Sequence, residues 1–204
     1  MTLLETTQLP ALDESGRALL FTEARTANTF SDEPVSDAEL TDIWQLARWA
    51  PTSANIQPLR VVYVRTPEGK ERLLRHMSEG NQAKVRQAPV SAILATDLDF
   101  HEQTPKTFPH RPELQAAFAA DPARREEAAR FNAVLQAGYF ILAVRAAGLA
   151  AGPMLGFDGA GIDAEFFAGT PLRTILVVNI GHPGDNPWFE RLPRLDEDDV
   201  LTFA

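Results

Sequence analysis

Apolar positions along the chain alternate between helical and strand spacing, and the alternation predicts a run of short elements around one long helix. Asp13 can cap a helix over residues 13–26, with Leu19, Leu20 and Ala24 on one face. Leu40, Ile43, Trp44 and Ala47 repeat at helical spacing behind Ser36 and Glu39, which form a capping box, and Pro51 stops that helix. Arg60–Val64 is a short β-branched run and reads as a strand. Pro67-Glu68-Gly69 turns into a short helix, a second helix is expected over 81–87, and Pro89–Ala95 reads as a buried strand. Asp121-Pro122 opens the longest helix, which Gly148 stops. Its C-terminal half is apolar almost all round and is expected to be buried. Thr174–Ile180 is apolar on both faces, as a central strand should be.

Three stretches fall outside this pattern. Residues 1–12 read as a loose arm. Residues 97–122 carry Pro105, Pro109, Pro112 and Pro122, which suits either a functional lid or a surface excursion with a short helix at 113–119. The tail from Gly184 is polar and ends in an acidic segment with a short apolar finish. With neither repeat nor linker, residues 1–204 read as a single domain.

Composition narrows the chemistry. The net charge of −9 argues against a broad nucleic-acid surface but leaves room for a small basic pocket around one phosphate. The absence of cysteine removes disulfides, thiolate metal sites and a Cys nucleophile together. The four histidines show no metal-ligand spacing. No apolar run approaches a membrane span and the N-terminus lacks signal-peptide character, so a cytoplasmic, cofactor-using or binding protein is the expectation. There is no Gly-x-Gly-x-x-Gly after a strand, no Walker loop, no His-Glu-x-x-His and no Gly-x-Ser-x-Gly.

Five segments carry candidate chemistry. Pro51-Thr52-Ser53-Ala54-Asn55-Ile56-Gln57-Pro58 crowds hydroxyl, amide and backbone donors between a helix and a strand, a set suited to the edge of a planar heterocycle, though a capped loop has the same residues. Arg25, Thr26 and Asn28 follow the first helix, where Arg25 also answers the helix dipole. Asn81 and Lys84 share a helix face, and Lys84 is one of only three lysines. Pro153, Met154, Leu155 and Gly156 follow the long helix as backbone suited to lie close to something flat, or as a plain turn. Arg191, with Arg194 as a substitute, suits bidentate contact with a phosphate.

In their order and separations these segments resemble the FMN-dependent nitroreductase-like family, from about Phe21 to Pro193. Residues 51–58 resemble its Pro-Ser-Ser-x-Asn-x-Gln-Pro signature, and Ala24–Phe30 its Arg-Ser-x-Arg-x-Phe stretch. The resemblance implies an α+β fold with a central mixed sheet surrounded by helices. It also implies a homodimer joined through long helices and exchanged tails, with FMN at the subunit interface. Arg25, Thr26, Asn28, Asn81, Lys84, Pro153, Met154, Leu155, Gly156 and Arg191 would contact the cofactor, and Pro51, Thr52, Ser53 and Asn55 would reach it from the second subunit. NADH or NADPH would deliver hydride to flavin N5, and a small acceptor would then take it from the same face. The chain departs from the pattern at Leu59, where an aromatic is common, at Asn28, usually basic, at Leu155, often Glu, and at Phe189, usually Lys. The malonic semialdehyde reductase branch shares further segments: Phe108-Pro109-His110, Gly152-Pro153-Met154-x-Gly156-Phe157-Asp158 and Arg191-Leu192-Pro193-Arg194-Leu195. Reduction of malonic semialdehyde to 3-hydroxypropionate is the activity this implies, with His110 as candidate proton donor. A broad nitroaromatic or quinone reductase, a flavin-binding protein without turnover, and an oxygen-using relative that fragments its own flavin are the competing readings.

Overall fold

The protein is described as a computed structural model covering residues 9–204, so most of the arm expected over 1–12 lies outside the described residues. The helices are α1 (Glu14–Arg17, continued by a π-helical turn, Ala18–Thr22), α2 (Asp37–Ala47), α3 (Pro67–Leu74), α4 (Glu79–Gln87), α5 (Thr104–Thr107), α6 (Glu113–Ala120), α7 (Pro122–Ala146), α8 (Gly159–Phe166) and α9 (Glu197–Val200). The strands are β1 (Leu59–Val64), β2 (Val90–Asp97), β3 (Ala150–Met154) and β4 (Leu172–Gly181).

Local chemistry sets the helix starts. The Asp13 side chain accepts from Gly16 N at 2.7 Å, and Ser36 and Glu39 exchange both bonds of the capping box. Hydrogen bonds from Ser36 hold the Glu39 carboxyl below the usual carboxylate range. Thr66 caps α3 with Pro67 in its first turn, and Asp121 caps α7 by accepting from Arg124 N.

The four strands lie in the order β1-β2-β4-β3. Each described pairing is antiparallel, which corrects the mixed sheet expected from the resemblance. The reason is topological. The α3–α4 excursion leaves and re-enters at the same end of the sheet, setting Val64 opposite Ser91. α7, roughly 37 Å long at about 1.5 Å per residue, carries the chain back to that end, so β3 runs parallel to β2. The chain then inserts β4 between these two strands and separates them.

One core lies between α2, α7 and one face of the sheet, including Ile43, Leu94, Phe140, Val144, Val178 and Ile180. A second covers the other face under α3, α4 and α8, including Leu73, Val85, Ile93, Ile162 and Val177. The expectation that the C-terminal half of α7 is buried holds for one side only. Ala137, Phe140, Ala143 and Val144 are buried, whereas Leu135 and Tyr139 are 42% and 43% exposed, and the exposed stripe continues back through Val134 and Phe131. A helix apolar all round needs cover on both sides, and this chain supplies it on one. No helix among the described residues is long and apolar enough to cross a membrane.

Candidate functional site

The five segments gather at two opposite edges of the sheet. Arg25, Thr26 and Asn28 run alongside β3: Ala27 N donates to Ala151 O at 3.0 Å, and Gly152 lets this strand pass close, since a Cβ there would sit 2.8 Å from Ala27 O. Pro153 and Met154 belong to β3, an edge strand, not to a free loop; proline is tolerated there because an outer edge needs no ladder donor. The Met154 side chain turns inward to the core, leaving only its backbone for a ligand. Leu155, by contrast, is exposed.

Gly156 joins β3 to α4. Its carbonyl accepts from Ser78 N at 3.0 Å and from Asn81 Nδ2 at 3.1 Å. An added Cβ would lie 2.7 Å from Asn81 Nδ2, so a larger residue here would push the Asn81 amide aside. Lys84 follows one turn along α4, half-buried and without a carboxylate within 4 Å among the described residues.

The C-terminal tail closes the other side of this edge. Asn28 N donates to Pro187 O at 3.0 Å, Thr29 Oγ1 to Asp185 O at 2.7 Å, Arg25 Nη1 to Phe189 O at 3.2 Å, and Arg191 Nη2 to Thr22 O at 2.5 Å. Arg25, Thr26, Asn28, Arg191 and Arg194 line a cavity of about 180 Å³, with Glu190 as its one acid among the described residues. The three guanidinium groups hydrogen-bond to main-chain carbonyls, and among the described residues none has a carboxylate within 4 Å. Their charge is therefore not neutralised, in a chain of net charge −9. Carbonyls fix the guanidinium planes and leave other N–H groups free, the donor set a phosphate dianion needs. The cavity has room for a phosphate and its nearest carbons but not for a tricyclic ring, which must lie beyond it. The Asn28 amide donates to Thr26 O at 3.2 Å, so where the resemblance places a cation this chain has an amide engaged in its own loop.

Residues 51–58 lie at the far end of the molecule, leading into β1. Three strand spacings of about 4.8 Å, roughly 14 Å in all, separate β1 from β3. One chain therefore does not bring all five segments into a single wall. Ala54, Asn55 and Gln57 all have positive φ, of 48°, 51° and 44°. For residues other than glycine that conformation costs about 1–2 kcal/mol each, somewhat less for Asn. Opposing it are Ile56, buried against Phe100, Phe118 and Ala129 and worth about 1.5–3 kcal/mol, and a set of tethers. Asn55 Nδ2 donates to Thr107 O at 2.7 Å, Gln57 Nε2 to Asn55 Oδ1 at 2.8 Å, Ser53 N to Asn132 Oδ1 at 2.7 Å, and Leu59 N to Gln136 Oε1 at 2.9 Å. Arg60, paired with Asp97 at 2.6 Å, also donates to Gln57 O. Pro51, Ser53 and Asn55 stay exposed and Thr52 half-exposed.

Residues 97–122 are mostly helical and pack beneath this segment through Phe100 and Phe118. His110 is exposed, its ring 4.0 Å from that of Phe108. The sequence patterns missed Asn132 and Gln136, because two polar residues one turn apart on a long helix look like a solvated face until the helix is seen to be buried there. A cavity of about 760 Å³ runs along the outer edge of β1 between Leu40, Trp44, Leu59, Val61 and Tyr63. Burial there pushes the Tyr63 hydroxyl up to about 12.

Comparison with known proteins agrees with this architecture. A protein of Streptomyces coelicolor, carrying the provisional name NADH dehydrogenase/NAD(P)H nitroreductase, is 60% identical over 196 residues, 96% of this chain and 97% of that protein. A provisionally named nitroreductase of Bacillus subtilis superposes with a TM-score of 0.82 at 20% identity, over 94% of this chain and 100% of the other. A provisionally named nitroreductase of Exiguobacterium sibiricum, solved in complex with FMN, superposes with a TM-score of 0.81 at 20% identity, over 98% of this chain and 100% of the other. At such identity the two structures speak for the fold alone. The nitroreductase family model matches residues 22–182, a span that includes both edges of the sheet and four of the five candidate segments, and the chain belongs to the nitroreductase family.

Proposed function

We propose that the protein is an FMN-dependent NAD(P)H oxidoreductase that reduces a small acceptor. The observation that carries this reading is the cavity lined by three un-neutralised arginines, on the same edge of the sheet as the Gly156–Asn81 junction. Arg25, Arg191 and Arg194 hold the phosphate. The backbone of Leu155 and Gly156, with Asn81 and Lys84, lines the ring beyond it. When bound, FMN supplies a two-electron carrier that accepts hydride from NADH or NADPH and passes it on. The names of relatives, NAD(P)H nitroreductase in Streptomyces coelicolor and NAD(P)H:FMN oxidoreductase in Staphylococcus epidermidis, support the same reading.

The two-edge arrangement further implies a homodimer. Pro51, Thr52, Ser53 and Asn55 of one protomer complete the cofactor site of its partner, the exposed side of α7 and Trp49 meet their counterparts, and the tails exchange. Leu192, Leu195, Leu201 and Phe203 in the tail are exposed apolar residues, and the groove along β1 is of matching character. A Val134→Glu substitution is expected to yield a monomer by light scattering that loses FMN on gel filtration.

Malonic semialdehyde is the acceptor we favour. The segments Phe108–His110, Gly152–Asp158 and Arg191–Leu195 support it, and it gives His110 a task. Hydride adds to the aldehyde carbon, the carbonyl oxygen takes a proton from His110, and 3-hydroxypropionate leaves. The names of the closely similar relatives favour a second reading, a broad nitroaromatic or quinone reductase using the same site. Purified protein is expected to be yellow and to bleach with NADH or NADPH under anaerobic conditions. An unbleached flavin would leave a binding protein without turnover. Steady-state kcat/KM with malonic semialdehyde, nitroaromatics and quinones then separates the acceptors, and a value for the aldehyde below that for nitroaromatics would overturn our choice.

A further inference from the structure

The strained segment 51–58 is held from behind by one face of α7. Asn132 and Gln136 stand one turn apart on that helix, each no more than 2% exposed. The Asn132 Nδ2 donates to Ala128 O, one turn back, at 2.8 Å. That bond fixes the carboxamide and leaves Oδ1 to accept from Ser53 N at 2.7 Å. Gln136 Oε1 accepts from Leu59 N at 2.9 Å. The two acceptors thus bracket the stretch in which Ala54, Asn55 and Gln57 have left-handed backbone. A helix facing a core does not need carboxamides, and burying them is unfavourable unless they are bonded. Gln136 goes further: its Nε2 is buried with no partner among the described residues, a donor kept along with the oxygen that holds Leu59 N.

We infer that Asn132 and Gln136 are positioning residues for the cofactor wall. From inside the core of one protomer they hold residues 53–57, with Ala54, Asn55 and Gln57 left-handed, in the shape that turns Ser53 and Asn55 outward, so that the wall is set before a ligand arrives. The consequence for FMN rests on the function proposed above; the conformational role does not.

The test uses the full-length protein with Asn132→Leu, which keeps the branched shape and deletes the acceptor, and Asn132→Asp, which keeps the acceptor for Ser53 N but loses the donor to Ala128 O. Asn132→Ala serves if the leucine variant misfolds. Amide hydrogen exchange over residues 52–59 is measured together with the FMN Kd, by quenching of flavin fluorescence, and Tm. For Asn132→Leu, exchange at 53–57 should rise tenfold or more and the Kd should rise at least tenfold, while exchange elsewhere stays unchanged. Asn132→Asp should lie between the parent and the leucine variant in both readouts. Exchange over 53–57 within threefold of the parent in the leucine or alanine variant, or a uniform rise across the chain, would overturn the inference. If the parent itself fails to bind FMN, the functional reading falls, and the exchange comparison still decides the role of Asn132.

Discussion

The two edges of the sheet are built on opposite principles. At the β1 edge, residues 51–58 are locked by side chains reaching out of the core, with left-handed backbone at three residues that are not glycine. At the β3 edge, the arginines are oriented by main-chain carbonyls of the first loop and the tail, and the tail has few apolar contacts of its own. One region is rigid and short of charge; the other is charged and depends on how a terminal segment docks. A site that must grip an anion and also hold a flat ring needs both. Fixed donors lose little entropy when the ligand arrives, and unpaired guanidiniums supply the attraction.

That contrast can be broken from either side. Arg191→Gln removes a charge that no carboxylate replaces and should weaken FMN binding by about 2 kcal/mol, roughly thirtyfold, in fluorescence titration, without altering Tm of the apoprotein by more than a degree or two. A large drop in apoprotein Tm would mean that the arginine serves the fold rather than the anion. Ala54→Val tests the rigid edge. A β-branched residue at positive φ should destabilise the fold by about 1–2 kcal/mol in urea titration, whereas a neutral result would show that the segment relaxes easily. The smallest expected effect sharpens the charged edge. Phe189→Lys puts a cation beside the same cavity, on an exposed side chain, and should tighten FMN binding a few-fold at low salt, the gain fading as ionic strength rises past about 0.15 M.

Much of this molecule was legible in the residues. Capping at Asp13, Ser36 and Asp121, the proline stop after α2, and the β-branched runs of β1, β2 and β4 each depend on neighbours a few positions away, and all appear where the pattern predicts them. β3 escaped notice because Ala150-Ala151-Gly152-Pro153-Met154 has little strand propensity and is a strand only because β4 offers it an edge. Helix α8 was missed for a similar reason: its Gly-rich start reads as a turn, and the Asp158 cap shows only once Gly161 N is seen to donate to it. The candidate residues were found through motif order, yet their division between two opposite edges was not visible in it. The same holds for the lid considered over 97–122, which packs into a small core beneath Ile56.

The sequence by itself determined the local elements, the acidic character and the set of chemically capable residues, because caps, turns and periodicity are short-range properties of the chain. Tertiary structure alone decided three things: that β4 intrudes between β2 and β3, that Asn132 and Gln136 face inward against a strained loop, and that residues 51–58 lie across the sheet from Arg25 and Arg191. Each is set by long-range packing, in which burial of one apolar face fixes where distant polar groups must point, and no window along the chain contains that information.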